Sequence, residues 1–314
     1  MLSTGSPLRL AFLGCGKPCN ASVFLQLTPV GHIGKALLGA VLPTTSQPTS
    51  RISQITVSQH HKEAQSDLQR QFRDSLHKVN FVHQQNVEAV QSSDAVLLAF
   101  PPNRIHDVLG EAGMRESLKD KIVISILART PREKIQSVFR RNQPTNEHVS
   151  SKTQNDLRVV RAMPTIGASI HESATLIANP ATDSAAEREA VNFAADLFSN
   201  LGRVFRVSND YFDAATGMSA ATNALTTVAV QAIVQSAAAH GVPLEDAVGI
   251  ASQCVRGTAS IMLSGVGPDE LEHSLSTPGS ITEQAISGLK NGQLKGVLER
   301  VLSVAVAKSK DHTA

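Results

Sequence analysis

Tryptophan is absent and Tyr211 is the only tyrosine, which argues against an aromatic platform for stacking nucleobases. Cysteine is scarce: Cys15, Cys19 and Cys254. An odd, sparse count without metal-ligand spacing points to neither a disulfide framework nor a thiolate metal centre, and favours a reducing compartment. No apolar run is long and uninterrupted enough to span a bilayer. Residues 1–13 lack a charged start followed by a long apolar core, so no secretory signal is expected. Lys and Arg total 29 against 27 Asp and Glu, a net charge of +2, which favours neither a nucleic-acid partner nor an acidic one. The expectation is a cytoplasmic protein with no metal, no membrane and no nucleic acid. With 314 residues, 41% hydrophobic and 18% charged, the chain can form one large domain or two ordinary ones.

What is present alternates between strand-like and helix-like segments. Leu8–Leu13 reads as a strand, His32–Leu42 as an amphipathic helix, Pro43–Arg51 as a loop and Ile52–Val57 as a second strand. Lys62–Phe72 reads as a polar surface helix, followed by strands at Asn80–Val82, Ala95–Phe100 and Lys121–Leu127, with a helix starting at Asn103. Continuous runs such as Ala-Val-Leu-Leu-Ala-Phe suit a parallel sheet covered on both faces. Arg140–Asp156 is patternless and predicts an exposed connection, after which strands resume at Arg158–Ala162, Ala174–Ile177 and Arg203–Val207. From Phe212 the chain becomes Ala-rich and loses strand character. Thr216–His240, Pro243–Leu263, Asp269–Leu275, Ile281–Lys290 and Leu294–Ser309 read as helices broken by Gly and Pro. The expected fold is α/β: a doubly wound, Rossmann-type domain over residues 1–211, then an all-α domain over 212–314 whose small residues suit self-association.

Leu8–Leu13 ends in Gly14-Cys15-Gly16, but the third glycine of a G-x-G-x-x-G turn is missing at the expected place. It occurs instead in His32-Ile33-Gly34, and removing Lys17–Gly31 restores the motif. In such a turn one glycine makes the bend, one lets the backbone approach a pyrophosphate, and one allows helix and strand to pack closely. Gly14, Gly16, His32, Ile33 and Gly34 are therefore candidate dinucleotide contacts; the bland alternative is a glycine-rich turn in an unrelated fold. NAD-binding versions carry a carboxylate after strand 2. Here Ser58-Gln59-His60-His61-Lys62 offers hydroxyl, amide and cationic groups, favouring NADPH through Ser58 and His60, with NADH not excluded and a plain solvated loop the alternative.

Further motifs bring out a resemblance. Ala11–Gly16 with His32–Gly39, Leu98-Ala99-Phe100-Pro101-Pro102, Ser125-Ile126-Leu127-Ala128, Val160-Arg161-Ala162-Met163-Pro164, Asp213–Ser219 and Ser276-Thr277-Pro278-Gly279-Ser280-Ile281-Thr282 resemble, in this order and over nearly the whole chain, the pyrroline-5-carboxylate reductase family. The resemblance implies reduction of a cyclic imine, 1-pyrroline-5-carboxylate, to L-proline by hydride from NAD(P)H. It also implies a homodimer or larger homo-oligomer made by the C-terminal helices. It adds Ala99, Pro102, Met163 and Pro164 to the cofactor contacts. It implies substrate contacts at Thr277, Gly279, Ser280 and Asn223, with Thr282 as the catalytic hydroxyl near the imine nitrogen. Hydroxyls and amides at a helix start can hold a carboxylate, and a hydroxyl can relay a proton. Helix capping is the competing, and compatible, reading of Thr277 and Thr282.

The departures from that pattern are Pro101 for lysine, Arg129 for glycine, Thr165 for asparagine, Gly167 for proline, Ile281 for threonine, and Ala220-Ala221-Thr222-Asn223-Ala224-Leu225 for a Gly-rich segment ending in an aromatic. They leave open a different cyclic imine in a specialised pathway, or an inactive NADP-binding paralogue. Lys17–Gly31 has two readings. Gly16-Lys17 can be encoded with a GTAAG donor and Val30-Gly31 with a TAG acceptor, so an in-frame segment could be translated intron. Otherwise it is a genuine insertion, forming a flap over the cofactor.

Overall fold

A computed structural model describes residues 7–15, 32–46, 50–141 and 157–312. Gly16, Lys17–Gly31 and residues 142–156 of the expected connection lie outside them. The chain divides into two compact units: Met1–Thr216 with Ser309–Ala314, and Gly217–Lys308.

The first unit contains strands β1 (Leu8–Leu13), β2 (Ile52–Gln59), β3 (Val79–His83), β4 (Ala95–Leu98), β5 (Ile122–Ser125), β6 (Arg158–Met163), β7 (Ser173–Ala178) and β8 (Gly202–Val207). They form one sheet in the order β3-β2-β1-β4-β5-β6-β7-β8. Every pairing is parallel except β6 with β7. The sheet is thus predominantly parallel, as a doubly wound domain requires, with one reversal. Its cause is the short 164–172 connection, which cannot hold the crossover that a parallel pair requires.

Seven helices pack on this sheet: α1 (His32–Val41), α2 (Lys62–Gln71), α3 (Asn86–Gln91), α4 (Ile105–Leu109), α5 (Met114–Leu118), α6 (Arg132–Arg141) and α7 (Ala185–Ser199). Successive strand residues point to opposite faces. Leu10, Phe12 and Leu97 accordingly join Leu37, Phe193 and Phe198 in one core, while Ala11, Leu13 and Leu98 join Leu109, Met114 and Phe139 in the other. Burial on both faces is why β1, β4 and β5 read as unbroken apolar runs. Several strand ends differ from the sequence reading. β4 stops at Leu98 rather than Phe100, and β2 runs on to Gln59. Helix α4 is preceded by a 3-10 turn at Pro102–Arg104, and the expected loop after α1 opens with another at Leu42–Ser46.

The second unit is helical. It takes most of α8 (Phe212–Ala239), then α9 (Leu244–Leu263), α10 (Pro268–Leu275), α11 (Ile281–Asn291) and α12 (Leu294–Lys310). α8 and α12 meet backbone to backbone at Gly217, where an added Cβ would lie 2.8 Å from the Val306 backbone. The buried cluster of this unit is small, Val234, Ala247 and Ala251. Met218, Val228, Ile233, Leu244, Ile250 and Val304 are exposed. No helix among the described residues is long and apolar enough to cross a membrane.

Candidate functional site

Strand order reverses between β1 and β4, the place where open α/β sheets bind ligands beyond their strand ends. At the end of β1, Gly14 has φ +79°, and a Cβ there would lie 3.1 Å from the Phe100 Cα. Glycine is required both by the left-handed backbone and by the closeness of the next strand's exit. The Gly14 amide donates to the Ser58 carbonyl at 3.0 Å and the Ala99 amide to the Leu13 carbonyl at 3.0 Å, so the exits of β1, β2 and β4 are tied together.

Gly34, in the first turn of α1, lies against the same point. A Cβ on it would be 3.4 Å from both Cα and Sγ of Cys15, and 3.5 Å from the Ala99 Cβ. This close packing of helix on strand is the role expected of the third glycine, and the chain achieves it although residues 16–31 intervene. His32 opens α1 and Ile33 follows, partly buried. Burial pushes the Cys15 thiol up to about 12, so it is a neutral packing group rather than a nucleophile.

A cavity of about 270 Å3 opens at these strand ends, lined by Gly14, Ser58, Gln59, His60, Ala99 and Arg104 among others. Ser58 Oγ donates to Asn86 Oδ1 at 2.8 Å, and Asn86 Nδ2 donates to Glu111 Oε1 at 2.5 Å. Asn86, at the start of α3, lines the cavity and has no counterpart among the residues singled out from sequence. Desolvation, and then the charges of Arg104, His61 and His83, hold His60 below the usual histidine range, with Asp107 acting against them. Arg104 Nε donates to Asp107 Oδ2 at 2.6 Å. The Gln59 side chain is buried and its amide nitrogen has no partner. No carboxylate stands at the end of β2. Those present, Asp107 and Glu111, come from the far wall and are engaged by Arg104 and Asn86.

Of the remaining cofactor candidates, Pro102 opens the turn after the cavity wall at Pro101. Met163 packs on Leu176, Ala178, Val207 and Phe212. Met163 and Pro164 end β6 and do not line this cavity. A larger cavity of about 530 Å3 lies where β7 and β8 end. Its main charges are already matched, Arg161 to Asp213 at 2.6 Å and Arg132 to Glu187 at 2.7 Å, with His312 Nε2 3.0 Å from Asp213. The smaller cavity, with its unpartnered donor, is the better candidate. No group of three His, Cys, Asp or Glu side chains among the described residues forms a metal site.

In the second unit, the loop between α10 and α11 carries the other candidates. The Ser280 amide donates to the Thr277 carbonyl at 3.0 Å, with Gly279 at φ +76° inside that turn. Ser280 Oγ accepts from the Glu283 amide at 3.0 Å, and Glu283 Oε2 accepts from the Gly279 amide at 2.6 Å. Ser280 thus caps α11, and Glu283 reaches back past it to the preceding amide. Capping therefore falls to Ser280 rather than to Thr277 or Thr282, whose hydroxyls have no hydrogen bond to any described residue. Both threonines are exposed, as is Asn223 on α8.

A family profile described as pyrroline-5-carboxylate reductase dimerisation matches residues 209–312, and one described as NADP oxidoreductase, coenzyme F420-dependent, matches residues 28–129. The chain is 28% identical to the delta-1-pyrroline-5-carboxylate reductase kk1I of Curvularia clavata, over 96% of this chain and 95% of that protein. It is 29% identical to the pyrroline-5-carboxylate reductase of Lophium arboricola, over 96% and 92%. Among solved structures it resembles a pyrroline-5-carboxylate reductase from Coxiella burnetii with a TM-score of 0.74, at 22% identity over 97% and 98% of the two chains. It also resembles the Plasmodium falciparum pyrroline carboxylate reductase solved with NADP bound, with a TM-score of 0.71, at 17% identity over 98% of both. These two likenesses concern the fold.

Proposed function

The chain belongs to the pyrroline-5-carboxylate reductase family, and from that premise we propose that it reduces 1-pyrroline-5-carboxylate to L-proline with NADPH. It is an oxidoreductase of cyclic imines. The observation that carries the reading is the cavity at Gly14, where three strand exits meet under a glycine favoured both by its left-handed backbone and by its closeness to Phe100.

In this reading residues 1–211 bind the cofactor and residues 212–314 bind substrate and pair with a second copy. Gly14, Gly34 and the start of α1 would hold the pyrophosphate. Ser58 and His60 would serve the adenosine ribose, and Ala99, Pro102, Met163 and Pro164 would serve the nicotinamide half. The bound nucleotide supplies a hydride to the imine carbon. The imine nitrogen gains a proton as its double bond is reduced, and the Thr282 hydroxyl hands on that proton from water. Thr277, Gly279, Ser280 and Asn223 hold the substrate carboxylate and ring. The free hydroxyls of Thr277 and Thr282 support these roles. The exposed apolar side chains of the helical unit support a homodimer. The near-balanced charge, and Cys15 and Cys254, which are free thiols among the described residues, support a cytoplasmic site.

A second reading, reduction of a different cyclic imine, is favoured by the altered Ala220–Leu225 segment and by Glu283 on the Gly279 amide. A third, cofactor binding without turnover, shares the same departures. The test is NADPH oxidation with 1-pyrroline-5-carboxylate, then with a panel of cyclic imines. It is run on the full chain and on a chain lacking Lys17–Gly31, the segment read as translated intron or flap. Turnover of the first substrate carries the proposal. Turnover of another imine alone moves it to the second reading, and binding with no turnover to the third. Genomic sequence without GT and AG at codons 16 and 31 removes the intron reading.

A further inference from the structure

The two nicotinamide nucleotides differ by one phosphate on the adenosine ribose. We propose that Arg104, on the turn leaving β4, and His60, at the end of β2, form a two-sided clamp for that 2′-phosphate and set this chain's choice of NADPH over NADH. The inference rests on the nucleotide-site reading above.

Both side chains line the same cavity, from different strand exits. Arg104 is held by one edge only. Its Nε donates to Asp107 at 2.6 Å, and no described residue takes Nη1 or Nη2. Asp107 thereby aims the guanidinium and leaves its two-pronged edge for an anion with paired oxygens, the geometry in which arginine suits phosphate. Desolvation, and then Arg104, His61 and His83, hold His60 below the usual histidine range, with Asp107 acting against them, so on its own it is a neutral ring. A ribose phosphate beside it, with about −1.5 to −2 charges near neutral pH, favours its protonated form and gives the site a second cation.

Gln59 is a separate observation. It lines this cavity, is 3% exposed, and buries an amide nitrogen with no hydrogen-bond partner. An orphaned donor in the interior is costly; the amide nitrogen is closed off as it stands, and a turn of the side chain toward the cavity would give it a phosphate oxygen as acceptor. No carboxylate stands at the end of β2, where a site for NADH carries one for the ribose diol; Asp107 and Glu111 come from the far wall, each with one oxygen already accepting, from Arg104 and Asn86.

The test uses the full chain and the fluorescence of the reduced nicotinamide, with no tryptophan present to contribute emission. Dissociation constants for NADPH and NADH are measured for the unaltered chain, Arg104→Gln, Arg104→Lys and His60→Gln. NADPH is expected to bind more tightly than NADH. Arg104→Gln is expected to weaken NADPH roughly tenfold or more, as loss of a charged hydrogen bond to phosphate does, with NADH unchanged within about twofold. Arg104→Lys should restore part of the loss, and His60→Gln should act in the same direction but less. Because Arg104→Gln could fail to fold, competition on the unaltered chain gives an independent readout: 2′-AMP should displace NADPH at lower concentration than 5′-AMP. Equal affinity for both nucleotides, equal loss of both in a folded variant, or equal competition by the two monophosphates overturns the clamp and leaves the cofactor reading standing. Binding of neither nucleotide overturns the cofactor reading and the clamp together.

Discussion

Phe12, Phe193 and Phe198 are sealed inside the first unit, whereas Val228, Ile250 and Val304 of the second stand 64%, 61% and 70% exposed. The first unit closes two cores around its sheet from its own residues. The helical unit buries only Val234, Ala247 and Ala251 together, far too little apolar surface to offset the entropy of ordering its helices. The first unit carries its own core, and the exposed apolar faces of the second fit the proposed pairing with a second copy. The division also separates two kinds of site chemistry: a glycine cradle fixed by backbone geometry, and a loop of exposed hydroxyls at a helix start.

The largest expected effect would break the contrast. Val228→Glu with Ile250→Glu places charge on two side chains that pairing should bury, each worth about 1.5–3 kcal/mol as a buried apolar group. Sedimentation velocity should show a monomer, and calorimetry a lost or early transition for the helices with the α/β transition kept. A persistent dimer of unchanged stability would mean that the helical unit is covered elsewhere. Next, Thr282→Ala should cut turnover by roughly a hundredfold, as loss of a proton-relaying group does, with NADPH affinity unchanged. Equal loss of both would contradict the assigned role.

Gly14→Ala should then cost about 1–2 kcal/mol from the left-handed backbone alone, with more from crowding against Phe100. It should lower the melting temperature of the first unit and weaken nucleotide binding together. A change in affinity without a change in melting would sever the proposed link between fold and cradle. The smallest effect concerns the hydroxyl loop. Glu283→Gln keeps the hydrogen bond to the Gly279 amide and removes its charge. It should lower KM for 1-pyrroline-5-carboxylate a few-fold, about 1 kcal/mol of repulsion in a wet site, and leave uncharged 1-pyrroline unaffected. The same change for both substrates would place the substrate carboxylate elsewhere.

Much of the first unit was legible because its signals are local. Leu8–Leu13 is observed with the limits expected of it, since a strand buried on both faces shows as a continuous apolar run. Gly14 and Gly34 were legible because each glycine in the turn answers a separate steric demand. Asn86 was not, because its partners Ser58 and Glu111 lie 28 and 25 residues away and nothing beside it marks a contact. Arg104 was hidden in the same way, by a cavity wall that exists only after β2 and β4 align. Helix α7 did carry a signal, Ser184 capping the Glu187 amide at its start, but no expectation was placed on it. The direction of β7 is not encoded in its alternation at all. It follows from the length of the link to β6. In the helical unit the apolar residues surround α8 and α9, so no single inward face could be read from their spacing.

Gly34 lies so near Cys15 that an added Cβ would be 3.4 Å from it, so whatever runs between them must leave and return at nearly one point. The length of such a detour enters stability only through loop closure, about 0.6 kcal/mol for each doubling. This makes the stretch after Cys15 a natural port for a graft. A fluorescent reporter whose ends lie close together could replace the native stretch there without disturbing the flanking strand and helix.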